Sequence, residues 1–361
     1  MSIKEFGWSV GVRVLVVLAL AGCTNSQPNL AELTAATNQF GPDLTSNATS
    51  DAGHAGGATG TASDAGDGPL PVLPSPGCGK NTPGTQLLGQ YSKYTTHVTG
   101  ATLDPTFTVP AHDRDYYVWL PTDYDPTKPY RVTFLFSGCG NRYAGATGTY
   151  KLMSQDPESI YVGMNEPPTG LPPLGKDCYD NEAGLQSIEW EFMGLTASTV
   201  QSTFCIDENR LFVAGYSSGG WVSDMFGCYF AGRDPTRKFG PDISVRGQSS
   251  VTGEPGPPVP CGGKVAAMWI HDTNDVDNPI AGNLMTALPR VLAVNGCAGG
   301  VNGPTMPWGS ISLLSDVCKQ YTACPVDYPV IFCTTSLQYH NSQDNRALPG
   351  FIEFQDTMNP H

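Results

Sequence analysis

One segment constrains this chain more than any other. In Arg210-Leu-Phe-Val-Ala-Gly215-Tyr216-Ser217-Ser218-Gly219-Gly220-Trp221 an apolar run enters a Gly-x-Ser-x-Gly turn and leaves it as a helix pattern. A strand that becomes a helix within a few residues needs a strained residue at its apex, and glycines beside it where backbones approach closely. A serine at that apex projects its hydroxyl outward. The N–H groups of the first helical turn stand behind it, where they can hold a developing oxyanion. The segment predicts a nucleophilic Ser217, with the Ser218 backbone N–H as an oxyanion donor.

The surrounding pattern fits such an elbow. Strand-like runs occur at Asp115 to Leu120, Tyr130 to Phe136, Ile160 to Met164, Arg210 to Ala214, Val265 to His271 and Val330 to Thr334. Most are continuously apolar rather than alternating, as in a sheet covered on both faces. Helix patterns lie between them at Gly184 to Thr203, Ser218 to Phe230, Ile280 to Val294 and Pro349 to Asp356. This alternation predicts an α/β class fold, a mostly parallel central sheet with helices on both faces. Pro121 and Asp125-Pro126 are turn signals that suit an antiparallel start to the sheet.

A serine hydroxyl needs a base, and in a fold of this kind the chain order is serine, acid, histidine. His54, His97 and His112 precede Ser217; His271 ends a strand ahead of the acid candidates; His361 is the last residue. His340 remains, in a loop after the strand at Val330 to Thr334, and parallel sheets present catalytic groups at strand C-terminal ends. Asp272, Asp275 and Asp277 all follow the strand at Val265 to His271, and spacing does not choose among them. The selected carboxylate would fix the histidine tautomer and stabilise its imidazolium. A second oxyanion donor is expected from the loop Ser137-Gly138-Cys139-Gly140-Asn141, through the backbone N–H of Gly138 or Cys139.

Several further segments carry a resemblance. Gly77-Cys78-Gly79-Lys80, Lys128-Pro129-Tyr130-Arg131, Phe204-Cys205-Ile206-Asp207, Ile270-His271-x-x-x-Asp275, Asn295-Gly296-Cys297 and Tyr328-Pro329-Val330 join the elbow in a domain that resembles the secreted feruloyl esterases and poly(3-hydroxybutyrate) depolymerase-like enzymes. That resemblance implies an α/β-hydrolase fold, Asp275 as the acid and His340 as the histidine. It implies a serine esterase acting on feruloyl or related esters of plant cell-wall polysaccharide such as xylan, or alternatively on polyhydroxybutyrate and related polyesters. The chain departs from the family pattern at Ser137-Gly138, where His-Gly is usual, and at Asp272, where glycine follows the acid-loop histidine. A flat aromatic acyl group calls for aromatic walls, and Trp221, Trp190 and Tyr339 are the candidates. A non-catalytic binding protein on the same scaffold is the alternative from another class, and it would be free to lose a triad member.

The ends and the composition bear on location and partners. Lys4 and Arg13 precede an apolar run, Val14 to Ala21, too short to span a bilayer of about 20 residues' thickness. It ends in Leu20-Ala-Gly-Cys23, which resembles a bacterial lipobox with Cys23 as the acylated residue. Residues 1–23 are read as an export signal, 24–77 as a Gly-, Ala-, Ser- and Pro-rich tether without Lys or Arg, and 78–361 as one catalytic domain. The expected site is therefore extracytoplasmic, held to the membrane by the N-terminal lipid, in a protein expected to be a monomer. A net charge of −14 argues against nucleic acid as partner.

Eleven cysteines, one of them Cys23, fit disulfide bonding in an oxidising compartment. No Cys-x-x-Cys or His-Glu-x-x-His pattern points to a metal, and no cofactor is implied. Strand and helix rises of about 3.3 and 1.5 Å per residue place Cys205 and Cys228 at the same end of the sheet, and this predicts that they pair.

Overall fold

The computed structural model describes residues 70–104, 107–140, 152–167, 178–179, 186–253, 261–336, 339–340 and 345–358. The export signal, Cys23 and the tether up to residue 69 lie outside the described residues.

The strands are β1 (Tyr91–Val98), β2 (Ala101–Asp104), β3 (Phe107–Val109), β4 (His112–Trp119), β5 (Tyr130–Phe136), β6 (Ile160–Met164), β7 (Ile206–Tyr216), β8 (Gly247–Val251), β9 (Ala266–Asp272), β10 (Thr305–Pro307), β11 (Cys318–Tyr321) and β12 (Val330–Thr335). Ten of them form one sheet in the order β1-β4-β6-β5-β7-β8-β9-β12-β11-β10, and β2 and β3 form a separate hairpin. The six strands from β6 to β12 in the middle pair in parallel. The two before and the two after them pair antiparallel. The antiparallel start and parallel centre agree with the pattern of the sequence. The short strands β8, β10 and β11 and the long β1 carry no apolar run of their own; Gly247-Gln-Ser-Ser-Val251 is buried in the middle of the sheet although its composition is polar.

The longer helices are α1 (Gln186–Thr203), α2 (Ser218–Tyr229), α3 (Leu288–Asn295) and α4 (Ala347–Met358). Alternate residues of each central strand serve opposite faces, as the two-residue period of a strand requires. Val132, Phe134 and Phe136 of β5 and Leu211 and Val213 of β7 pack with α1, α2 and α3. Leu135, Phe212 and Ala214 pack with Phe351, Phe354 and Met358 of α4. Both faces are covered, and this is why the runs read as continuously apolar. The architecture is an α/β-hydrolase fold.

Two expectations about the chain's course are corrected. Residues 71–77 are not tether. The Leu73 N–H donates to Asp207 Oδ1 (2.9 Å), Asn209 donates to the Pro71 carbonyl (2.8 Å), and the Ser75 N–H donates to the Ile206 carbonyl (2.9 Å). An extended, proline-rich strip without a core of its own is held here by hydrogen bonds to the start of β7. Nor do Cys205 and Cys228 pair: the bonds are Cys78–Cys205 and Cys228–Cys261. Both cysteines lie at the end of the sheet opposite Ser217, but sharing an end does not bring Cα atoms within the roughly 4.4–6.8 Å usual for a disulfide. The docked strip carries Cys78 to Cys205, and a Gly262 N–H bond to the Cys228 carbonyl (2.8 Å) seats Cys261 beside Cys228. Cys139–Cys178, Cys297–Cys324 and Cys318–Cys333 complete the set.

Beneath α2 lies a charge in the core. Asp224 is 1% exposed and accepts from Trp269 Nε1 with both oxygens, at 3.0 and 3.1 Å. Burial pushes its pKa up to about 7, against the opposing pull of the Trp269 hydrogen bond and of Arg290. A carboxyl whose folded pKa exceeds its unfolded value binds more protons when folded, so stability falls as pH rises between the two values, from about 4 to about 7. Asp224→Asn removes this ionisation. It should raise the melting temperature above that of the parent at pH 8 and change it little at pH 4, and equal shifts at both values in thermal unfolding would reject the assignment.

Candidate active site

The site is built where three parallel strands end. β7 delivers Ser217, which starts α2 with φ 54° and ψ −120°. Gly215 and Gly219 allow this turn. A Cβ on Gly215 would stand 2.0 Å from the Gly219 carbonyl, and one on Gly219 would stand 2.3 Å from the carbonyl of Ser137 and 2.4 Å from that of Phe136. The Ser217 N–H donates to the Val251 carbonyl at the end of β8 (3.1 Å), which fixes the apex to the sheet. Among the described residues three non-glycines have left-handed φ: Ser217, Thr252 and Tyr339. Two belong to this site directly, as Ser217 itself and as the neighbour of His340. Thr252 belongs through its carbonyl, which accepts from Asn278 (2.9 Å). Strain of this kind, worth about 1–3 kcal/mol per residue, persists where the surrounding structure imposes it.

His340, after β12, stands between two partners. Its Nε2 is 2.9 Å from Ser217 Oγ and its Nδ1 is 2.8 Å from Asp275 Oδ2. The Asp275 side chain is fully buried, while that of His340 is 17% exposed. The other Asp275 oxygen accepts from the N–H groups of Asp277 (3.0 Å) and Asn278 (2.8 Å). A carboxylate held this way is aimed at Nδ1 and places the histidine proton there, leaving Nε2 as the acceptor for the serine hydroxyl.

Neither competing aspartate is hydrogen-bonded to the histidine in place of Asp275. Asp272 accepts from Thr335 Oγ1 (2.7 Å) and from the Asn274 N–H (2.8 Å), tying the acid loop to the end of β12. Asp277 is exposed. Buried His271 donates from Nε2 to the Asn278 carbonyl (2.7 Å) and lies 3.7 Å from the Asp275 carboxylate. Burial holds its pKa down, so it stays neutral and serves as a strut under the acid loop.

The loop expected to supply a second oxyanion donor packs on the elbow. A Cβ on Gly138 would lie 2.7 Å from the Tyr216 ring and 3.2 Å from the Ser217 Cβ, so only glycine fits that close to the serine. Ser218 heads α2 immediately after it. Two anchors that sequence reasoning missed hold this loop. Cys139 is bonded to Cys178, and buried Tyr179 accepts from the Ser137 N–H (3.3 Å) while donating to the Met164 carbonyl (2.8 Å). Tyr216 also bridges: its hydroxyl donates to the His340 carbonyl (3.4 Å) and its ring lies 5.2 Å from the imidazole. Nothing local in the sequence marks either tyrosine, because both act through partners distant in the chain.

Two of the three expected aromatic walls are elsewhere. Trp221 is 1% exposed and belongs to the core under α2. The Trp190 ring stacks on Tyr229 at 4.4 Å, at the far end of α2, about 18 Å of helix from Ser217. A large apolar side chain one turn into a buried helix is used for packing, and position beside the serine in sequence does not aim it at the cleft. Tyr339 is 62% exposed and precedes His340 in the chain.

Among the described residues one group has metal-ligand geometry, Asp275, Asp277 and His340, with candidate atoms within 4.8 Å of one another. Both imidazole nitrogens there already face Asp275 and Ser217, so a cation would have to displace the hydrogen bonds just described.

The fold and this constellation define a serine hydrolase of the α/β type. No family model matches the chain. Among curated proteins it is similar to a probable feruloyl esterase C of Aspergillus niger, 26% identical over 230 residues that cover 62% of this chain and 70% of that one. It is also similar to feruloyl esterase D of Neurospora crassa, 30% identical over 168 residues, covering 44% of this chain and 50% of that one. Among solved structures, a ferulic acid esterase from the anaerobic fungus Anaeromyces mucronatus aligns over 80% of this chain and 99% of its own, with a TM-score of 0.45 and 13% identity. The chain is a carboxylic-ester hydrolase, similar in sequence to feruloyl esterases.

Proposed function

We propose that Ser217 is the nucleophile, His340 the general base and Asp275 the orienting acid of an esterase that releases feruloyl or related acyl groups from plant cell-wall polysaccharide. The observation that carries this reading is that His340 is hydrogen-bonded at both nitrogens, to the serine on one side and to a buried carboxylate on the other. As Ser217 Oγ attacks the ester carbonyl its proton passes to His340 Nε2. The resulting oxyanion is held by the backbone N–H of Ser218 and that of Gly138 or Cys139. His340 then gives the proton to the departing alcohol oxygen, leaving an acyl-enzyme. Water, deprotonated by the same nitrogen, attacks the acyl carbon and restores the serine.

The acyl class rests on the named activity of the relatives, and exposed Tyr339, next to His340 in the chain, is the aromatic residue proposed to meet the acid. Purified protein should cleave methyl ferulate or feruloylated arabinoxylan with a higher kcat/KM than hydroxybutyrate trimers. A preference for the trimers would replace the acyl class by a polyester while leaving the triad in place.

The protein acts outside the cytoplasm in this proposal, anchored by acylated Cys23. Five disulfide bonds among the described residues suit an oxidising compartment. Cys23→Ser should release the protein from the membrane fraction, because stable attachment depends on the buried acyl chains. Mass spectrometry of the mature protein that finds an unmodified N-terminus would overturn the anchor.

A further inference from the structure

At the end of the sheet opposite Ser217 the entrances of three parallel strands converge on a cavity of about 100 Å³. Arg246 immediately precedes β8, Lys264 lies two residues before β9, and Tyr328 lies two residues before β12. The parallel register sets these positions side by side, with Gly247 opposite Ala266 and Ala267 opposite Val330. Asn209 and Ser244 add polar walls, and Leu70 of the docked N-terminal strip closes one side.

Arg246 is 4% exposed, and its Nε, Nη1 and Nη2 atoms all lack a hydrogen-bond partner. Asp327 stands 3.8 Å from Nη2, beyond hydrogen-bond length, and the Tyr328 ring lies 4.8 Å from the guanidinium carbon. A guanidinium presents five donors in a planar fork, and here the Asp327 carboxylate and Tyr328 offset its charge while its donors lack a close acceptor. Burial pulls the Arg246 pKa down while Tyr328 and Asp327 act against it, yet an arginine stays charged. The lining therefore brings two cations, Arg246 and exposed Lys264, and no carboxylate, with Asp327 pairing to Arg246 from outside the lining. This is a positive concavity in a chain whose net charge is −14.

We propose that this cavity is a binding site for a small oxyanion, held by the Arg246 fork and closed at its mouth by Lys264. A space of about 100 Å³ has the size of a few waters or a small anion. A phosphate, a sulfate or a carboxylate group meets both the size and the fork, since each offers two oxygens to a guanidinium. Because catalytic groups lie at the C-terminal ends of these strands and Arg246 at an N-terminal end, occupancy is separate from ester hydrolysis.

The test is a titration of the purified full chain with inorganic phosphate, sodium sulfate and sodium glucuronate, each against sodium chloride at matched ionic strength, read by calorimetry and by melting temperature. The free ions and glucuronate separate a soluble anion from a carboxylate borne on sugar. Saturable binding of at least one of them at one site is expected. Arg246→Gln should weaken it by about tenfold or more, as loss of a charge-assisted fork implies, while hydrolysis of a soluble ester continues at the parent rate. Lys264→Ala, at an exposed position, should weaken it by a smaller factor and decides the matter where Arg246→Gln does not fold. Binding indistinguishable from chloride for all three anions, or equal affinity in the parent and Lys264→Ala together with unaltered affinity in any folded Arg246→Gln, would overturn the site.

Discussion

Ser217→Ala is expected to lower kcat by about 10⁴- to 10⁶-fold with little change in KM, and His340→Ala to do nearly the same. The two are expected to match because the serine proton has nowhere else to go: Ser217 Oγ and His340 Nε2 are 2.9 Å apart. Removing either partner disables the same step, so the double variant should be scarcely worse than each single one. Asp275→Asn keeps the hydrogen bonds from Asp277 and Asn278 available through its amide oxygen but presents the wrong group to Nδ1, and a loss of about 10³- to 10⁴-fold is expected. A fluorophosphonate probe should label the parent protein at Ser217 and fail to label Ser217→Ala. Near-parental turnover in His340→Ala would remove the proposed roles altogether.

The second large effect concerns the frame that carries the site rather than its chemistry. Arg114 of β4 and Glu189 of α1 form a two-pronged ion pair, each prong 3.2 Å, with both side chains wholly buried. Arg114 also donates to the Asn165 carbonyl just beyond β6 (2.8 Å) and lies 4.3 Å over the Phe192 ring. One guanidinium thus joins a strand, a helix and the turn after β6. Glu189→Ala leaves that guanidinium buried without its counter-charge and should cost about 3–5 kcal/mol in denaturant unfolding with the disulfides intact. The double variant Arg114→Met/Glu189→Leu removes both charges and fills the space, so it should cost less than the single change. If the double variant is the less stable of the two, the pair contributes net stability, contrary to this account.

The two predictions draw on different information. The elbow at Ser217 is readable in residues 210–221 because a buried strand, a strained apex and a helix start are short-range events, governed by side-chain period and by the contacts of Gly215 and Gly219 with their near neighbours. The apolar runs at β5, β6, β7, β9 and β12 are readable for the same reason: helices cover both faces, so both sets of alternate residues are mostly apolar. Strand β8 escaped notice because its core position is filled by Gly, Gln and Ser, whose burial follows from neighbours on either side. His340 emerged by chain order, since every other histidine lies before the serine, at the end of a strand or at the terminus.

By itself, then, the sequence determined the elbow, the class of the sheet and the histidine, all of which follow from local pattern and order along the chain. Between Asp272, Asp275 and Asp277 the residue pattern was neutral, and the resemblance to known esterases favoured Asp275. In the fold Asp275 is the aspartate hydrogen-bonded to His340, while Asp272 is taken by Thr335 and Asp277 is exposed. The tertiary structure alone decided that Cys205 joins Cys78 and Cys228 joins Cys261, that Trp221 and Trp190 serve packing, and that residues 71–77 dock on β7. The physical reason is the same in each case. A disulfide, a stacked ring or a docked strip depends on distances of a few ångströms between segments tens to more than a hundred residues apart, and those distances are set by how the crossovers close around the sheet.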